Sequence, residues 1–211
     1  FKSKDKIVSF KKRLVPDGHT MSVMPAYDKM DIKDHSKYGA IGSWHGMLKK
    51  DVVVSTAQSN RGCRASCTFC NVRTYHGKTV RHRTVDSVVD ELLCLQNDYG
   101  VEHIVWLDDD LLKDHKRTLQ MFNEMVKRNL NMTWDASNGI IASALKDEVL
   151  DAAAASGCTG MHFGIESGND EILKSVHKPS GKKHYLELEN KLKKYPQIFT
   201  KGFLMIGFPN E

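Results

Sequence analysis

The stretch VVVSTAQSNRGCRASCTFC, residues 52–70, decides how this chain folds and what it can hold. Its first six residues are a compact apolar run rich in valine, the pattern of a short buried strand. Three thiols follow closely. Cys63, Cys67 and Cys70 have C-x3-C-x2-C spacing, and Phe69 stands directly before the third. They therefore lie just past the carboxyl end of a strand. Thiolates are soft ligands for iron–sulfur clusters and for zinc. A four-iron cluster held by three cysteines leaves one iron without a protein ligand, open to a substrate.

Two plainer readings stand beside that one. A structural zinc site closes with four protein ligands, and His76 would complete C-x3-C-x2-C-x5-H. That spacing differs from the common paired forms. An ordinary ferredoxin cluster uses C-x2-C-x2-C, and the remaining two cysteines, Cys94 and Cys158, are distant in sequence. Both read as buried small hydrophobes.

Downstream of the thiols the period alternates between strand and helix. Helices are predicted over 85–99, 114–129, 146–156, 170–176 and 180–195. Strands are predicted over 52–57, 101–107, 132–137, 161–165 and 198–206. The first helix carries a stripe of Val88, Val89, Leu92, Leu93 and Leu95 and stops at Gly100. The second places Leu119, Phe122 and Val126 inward, with Asp114 as N-cap. This β-α alternation predicts an α/β fold, a partial TIM-type barrel of parallel strands with function at their carboxyl ends. Residues 1–50 show little periodicity and contain Pro16, Pro25 and several glycines. They read as linker and loop with short strands, the tail of a preceding domain. Residues 51–211 form the core domain.

At 211 residues, 40% hydrophobic and 27% charged, the chain has the balance of a globular domain. No run approaches a membrane span, and residues 1–13 lack the apolar centre of a secretory signal. The net charge of +5, from 31 basic and 26 acidic residues, is mild. A local basic run, from Arg73 through His76, Lys78 and Arg81 to His82 and Arg83, reads as a solvated loop or a counter-charge to a cluster, rather than a nucleic-acid surface. Clustered thiols suit a reducing compartment, so the expected location is cytoplasmic.

The cysteine loop resembles the signature of the radical S-adenosylmethionine (SAM) enzymes. Three further segments extend the resemblance: HIVWLDDD at 103–110, FGIESG at 163–168 and FLMIGFP at 203–209. Their order is similar to the subgroup that carries an upstream cobalamin-binding domain, and Pro25-Ala26-Tyr27 resembles the linker between the two domains. The family core has six βα units. Five strands are predicted here, so the chain is expected to be a fragment, truncated at both ends.

The resemblance implies that Cys63, Cys67 and Cys70 hold a 4Fe–4S cluster whose open iron binds SAM, and that Phe69 lies near the adenine. It implies a ribose-binding role for Glu166, for which an ion pair with a lysine or arginine is the plain alternative. It places Ile206 and Gly207 against adenine, and Asp108 and Asp109 at SAM or the substrate. Many relatives have Gly-Gly-Glu where this chain has Asp108, Asp109 and Asp110. These carboxylates are also read as a divalent-metal site, a solvated loop or helix caps. Relatives often carry arginine near Asn138. His162, Trp106 and Trp134 read as core, while Tyr75 and His76 are left undecided. The implied activity is reductive cleavage of SAM to begin radical chemistry on a small molecule, with cobalamin-linked methylation as one form. The implied electron donor is a flavodoxin or ferredoxin. A methylthiotransferase and a zinc- or cluster-stabilised binding module are the alternatives.

Overall fold

Five strands form one parallel sheet, and each after the first pairs with the sheet strand before it in sequence. They are β1 (Val54–Ala57), β2 (His103–Trp106), β3 (Thr133–Ile140), β4 (Cys158–Glu166) and β5 (Phe199–Leu204). Their spatial order is also β1-β2-β3-β4-β5, parallel throughout. A doubly wound sheet would reverse direction at a switch point. Order that follows sequence is instead the winding of a barrel wall, as the alternation predicts. The computed structural model describes residues 15–38, 51–209 and 211, together with the backbone of a small hairpin, Lys2–Ser3 with Lys6–Ile7.

The helices are α1 (Gly18–Met21), α2 (Ile32–Tyr38), α3 (Val72–His76), α4 (Val85–Tyr99), α5 (His115–Lys127), α6 (Asp147–Ala155), α7 (Asp170–Ser175) and α8 (Lys182–Leu192). Their ends follow local chemistry. Thr84 accepts from the Ser87 amide at the start of α4, and Gly100, left-handed at φ +67°, ends it. Asp114 caps α5 through the Arg117 amide at 3.1 Å. At Gly157 a Cβ would fall 2.4 Å from the Met132 carbonyl oxygen, so the turn from α6 into β4 needs glycine.

The core lies between the sheet and the helices. Trp106 and Trp134 meet edge to face at 6.4 Å, and Phe122 stacks on Trp134 at 5.0 Å. The Trp134 indole donates to the Ser156 carbonyl at 3.0 Å, so its one polar atom is satisfied. The opposite face of β2 and β3 is buried and polar. His103 and Asp135, neither exposed, pair at 2.9 Å, and His162 is likewise buried.

Several local expectations are corrected. Val126 is 46% exposed, and the inner face of α5 is Thr118, Met121, Phe122 and Met125. Phe122 belongs to both possible stripes, and its neighbours at i−4, i−1 and i+3 won the core. Cys94 is only half-buried, whereas Cys158 is buried. Residues 15–38 hold α1, α2 and the 3-10 turn Tyr27–Lys29 as well as loop. Asp17 and Asp31 start these short helices by accepting the Thr20 and Asp34 amides, so caps and not periodicity make them. Tyr27 then docks on α4 by donating to Glu91 at 2.5 Å. The glycines at 39, 42 and 46 lie outside the described residues. Helix α3 had no sequence signal. Strand β3 runs on to Ile140 through a bulge after Ala136.

The α5 register is testable. Met125→Ala should cost about 2–5 kcal/mol in urea unfolding, and Val126→Ala less than about 0.5.

Candidate cofactor cavity

Parallel pairing sets Ala57 beside Trp106, so β1 and β2 leave the sheet together. The three aspartates after β2 then capture the loop after β1, one place each. Asp108 accepts from the Ser59 amide (2.6 Å), the Ser59 hydroxyl (2.6 Å) and the Asn60 amide (2.9 Å). Asp109 accepts from the Gly62 amide at 2.9 Å. Asp110 takes Arg64 through its amide (3.2 Å), Nε (2.6 Å) and a terminal guanidinium nitrogen (2.8 Å). Cys63 is held between two anchored neighbours.

Other contacts complete the loop. Asn60–Arg61 pairs antiparallel with Arg81–His82. Gly62 has φ +98°, and a Cβ there would meet the Thr79 carbonyl oxygen at 2.3 Å. Arg117 donates to the Ser59 and Arg83 carbonyls at 3.2 and 2.8 Å. The far limb is fastened from another direction. The Thr68 amide donates to the Val176 carbonyl at 3.1 Å, and the Cys67 thiol lies 3.7 Å from the His177 carbonyl oxygen.

All three cysteines line a cavity of about 330 Å³ at the carboxyl ends of the strands. Phe69, Asp109, Asn138, Glu166 and Lys178 share its wall. Among the described residues, no three His, Cys, Asp or Glu side chains converge as a group able to hold a single metal ion. His76 lies beside Asp109, at 3.7 Å, and Tyr75 is exposed.

Glu166 ends β4 with φ +65°, a left-handed conformation costly for a non-glycine residue. Its carboxylate pairs with Lys178 at 2.8 Å, so an ion pair is present at this position. Gly164 leaves room for the pair, since a Cβ there would stand 2.5 Å from Glu166 Oε1 and 2.6 Å from Lys178 Nζ. Asn138 donates to the Leu107 and Asp108 carbonyls, each at 3.2 Å. Ile206 is 96% exposed, and Ile206 and Gly207 stand off the cavity wall. Their neighbour Phe208 packs against Phe69 with ring centres 6.0 Å apart.

Asp108 is also off the wall and fully buried. Burial pushes its carboxyl up to about 6, against the opposing pull of the Ser59 hydroxyl, two amides and Arg117. Burial pushes the Cys63 thiol up to about 11 and the Cys67 thiol in the same direction, while Lys178 pulls Cys67 back. Sequence reasoning missed Lys178, Tyr185, and the anchoring pair of Arg64 and Asp110. Tyr185 lines the cavity and donates to the Gly164 carbonyl at 2.8 Å.

A profile of the radical SAM superfamily matches residues 58–211. The chain is 31% identical over 176 residues to the cytidylyl-2-hydroxyethylphosphonate methyltransferase of Streptomyces wedmorensis, an alignment covering 82% of this chain and 32% of that one. It is 27% identical over 222 residues to a putative methylthiotransferase of Methanocaldococcus jannaschii, covering 100% of this chain and 44% of the other. Among solved structures it resembles the radical SAM methyltransferase TsrM of Kitasatospora setae, determined with cobalamin and a [4Fe-4S] cluster bound. That match has a TM-score of 0.68 at 19% identity and covers 76% of this chain and 32% of that one. The chain thus spans less than half the length of these relatives.

The buried Asp108 predicts a pH signature. Its folded pKa, about 6, is raised above the ordinary 3.8, so between those values the folded state holds more proton than the unfolded. Stability should therefore fall as pH rises from about 4 to about 6. D108N should remove that slope from the melting temperature measured against pH.

Proposed function

Because the chain belongs to the radical SAM superfamily, we propose that Cys63, Cys67 and Cys70 hold a 4Fe–4S cluster with one iron open to SAM. We further propose that the whole protein is a cobalamin-linked methyltransferase acting on a small molecule, with cobalamin supplied by an upstream domain. The observation that carries the first step is the placement of three thiols around one cavity at the carboxyl ends of parallel strands. The donor set fits. A four-iron cluster takes one thiolate per iron, so its ligands spread around a rim and do not converge as zinc ligands do. When bound, such a cluster would supply the electron that cleaves SAM to methionine and a 5′-deoxyadenosyl radical.

The protein's part is to hold and orient. The three aspartates keep the cysteine loop in its curve before any cofactor arrives, so little ordering entropy remains to be lost on binding. Phe69 offers an apolar face to the adenine, and Phe208 packs against it. Glu166 offers carboxylate oxygens to the ribose diol while Lys178 keeps its charge balanced. Asp109 is the aspartate of the ligand side, and Asp108 acts by shaping the loop. A low-potential reductant such as flavodoxin or ferredoxin and a cytoplasmic location suit exposed iron–sulfur chemistry. No helix among the described residues is long and apolar enough to cross a membrane.

The similarity to a putative methylthiotransferase along the whole chain favours a second reading, sulfur insertion. The two separate by product, since one transfers a methyl group and the other a methylthio group.

The test is anaerobic reconstitution followed by dithionite reduction and EPR. Four irons per chain and a signal that changes shape on adding SAM are expected, and C67A should lose both. Stoichiometric zinc without iron uptake would sink the proposal.

A further inference from the structure

Lys178 follows a turn that the function above does not explain. His177 is left-handed at φ +56°, which throws the next residue back over the sheet. The turn is pinned at both ends. The Lys178 amide donates to Leu173 at 2.8 Å, and the Val176 and His177 carbonyls meet Thr68 and Cys67 of the cysteine loop. The Lys178 side chain, 15% exposed, reaches Glu166 at 2.8 Å and lies 5.9 Å from the centre of the Phe69 ring. Of the other cations near the thiols, Arg64 is committed to Asp110, and Arg73 also stands on the cavity wall.

We propose that Lys178 is a positioning residue for the cluster's charge. Its ammonium, paired with Glu166 on the wall of the cavity that the three cysteines line, sets the potential at which a cluster bound there accepts an electron. The inference rests on the cluster reading above. Three thiolates bring three negative charges to one rim, and reduction adds another. In a partly buried site of low effective dielectric, a fixed cation favours the more negative, reduced state. Glu166 offsets part of that effect and keeps the ammonium in place.

The experiment is an EPR-monitored redox titration without SAM on the reconstituted chain and three variants. K178M should be harder to reduce, by about tenfold in the reduction equilibrium, which is about 59 mV for one electron. K178R should stay near wild type. E166Q, which keeps the lysine and removes its counter-charge, should shift the opposite way. It decides the matter if K178M does not hold its cluster. An unmoved potential in fully loaded K178M, or an unmoved or more negative one in E166Q, would overturn this inference alone. No cluster in the wild-type chain would overturn it together with the proposed function.

Discussion

The cavity depends on the grip of the β2 carboxylates on the backbone that leaves β1. Asp108 is buried where a carboxylate is costly, and it is tolerated because three donors from Ser59 and Asn60 converge on it. Without that acceptor, two amides would be left unpaired in the interior, and the limb carrying Cys63 would have no fixed course. Asp109 and Asp110 repeat the device one step further along. All three side chains of the acidic run anchor the neighbouring loop, and Asp109 also stands on the cavity wall.

Much of the fold was legible because each unit carries its own signal. The valine run before the thiols, the Val88–Leu95 stripe and the stops at Gly100 and Gly157 each settle one element. Parallel order then follows from the alternation. What was not legible depends on contacts between units. The face of α5 is ambiguous because Phe122 fits two stripes, and only the burial of Thr118, Met121 and Met125 beside it decides between them. The helices in 15–38 are too short for periodicity. Lys178 has no motif of its own, and its meaning arises only when the turn after α7 folds onto the cysteine loop. The gathering of the three cysteines was legible because their spacing puts them in one short loop, and all three line one cavity.

Glu166 shows how the site keeps a strained residue in place. Its left-handed backbone is over-determined by the bulge between β4 and β5, by the Met205 amide on its carbonyl, and by the lysine on its carboxylate. Gly164 is the silent partner, because any side chain there would displace both charged groups. Strain held by so many contacts keeps the carboxylate aimed at Lys178 on the cavity wall.

The loop's two limbs are fastened from far along the chain. Ser59 waits for Asp108, 49 residues later, and Cys67 waits for His177, 110 residues later. Contacts of such long range form late, after the loop-closure entropy has been met. During synthesis from the ribosome the three thiols therefore emerge well before the groups that shape their loop. Their loop takes its shape only after the fourth strand and the turn beyond α7 are made. Until then the nascent chain carries three unguarded sulfurs, open to oxidation and to the wrong metal.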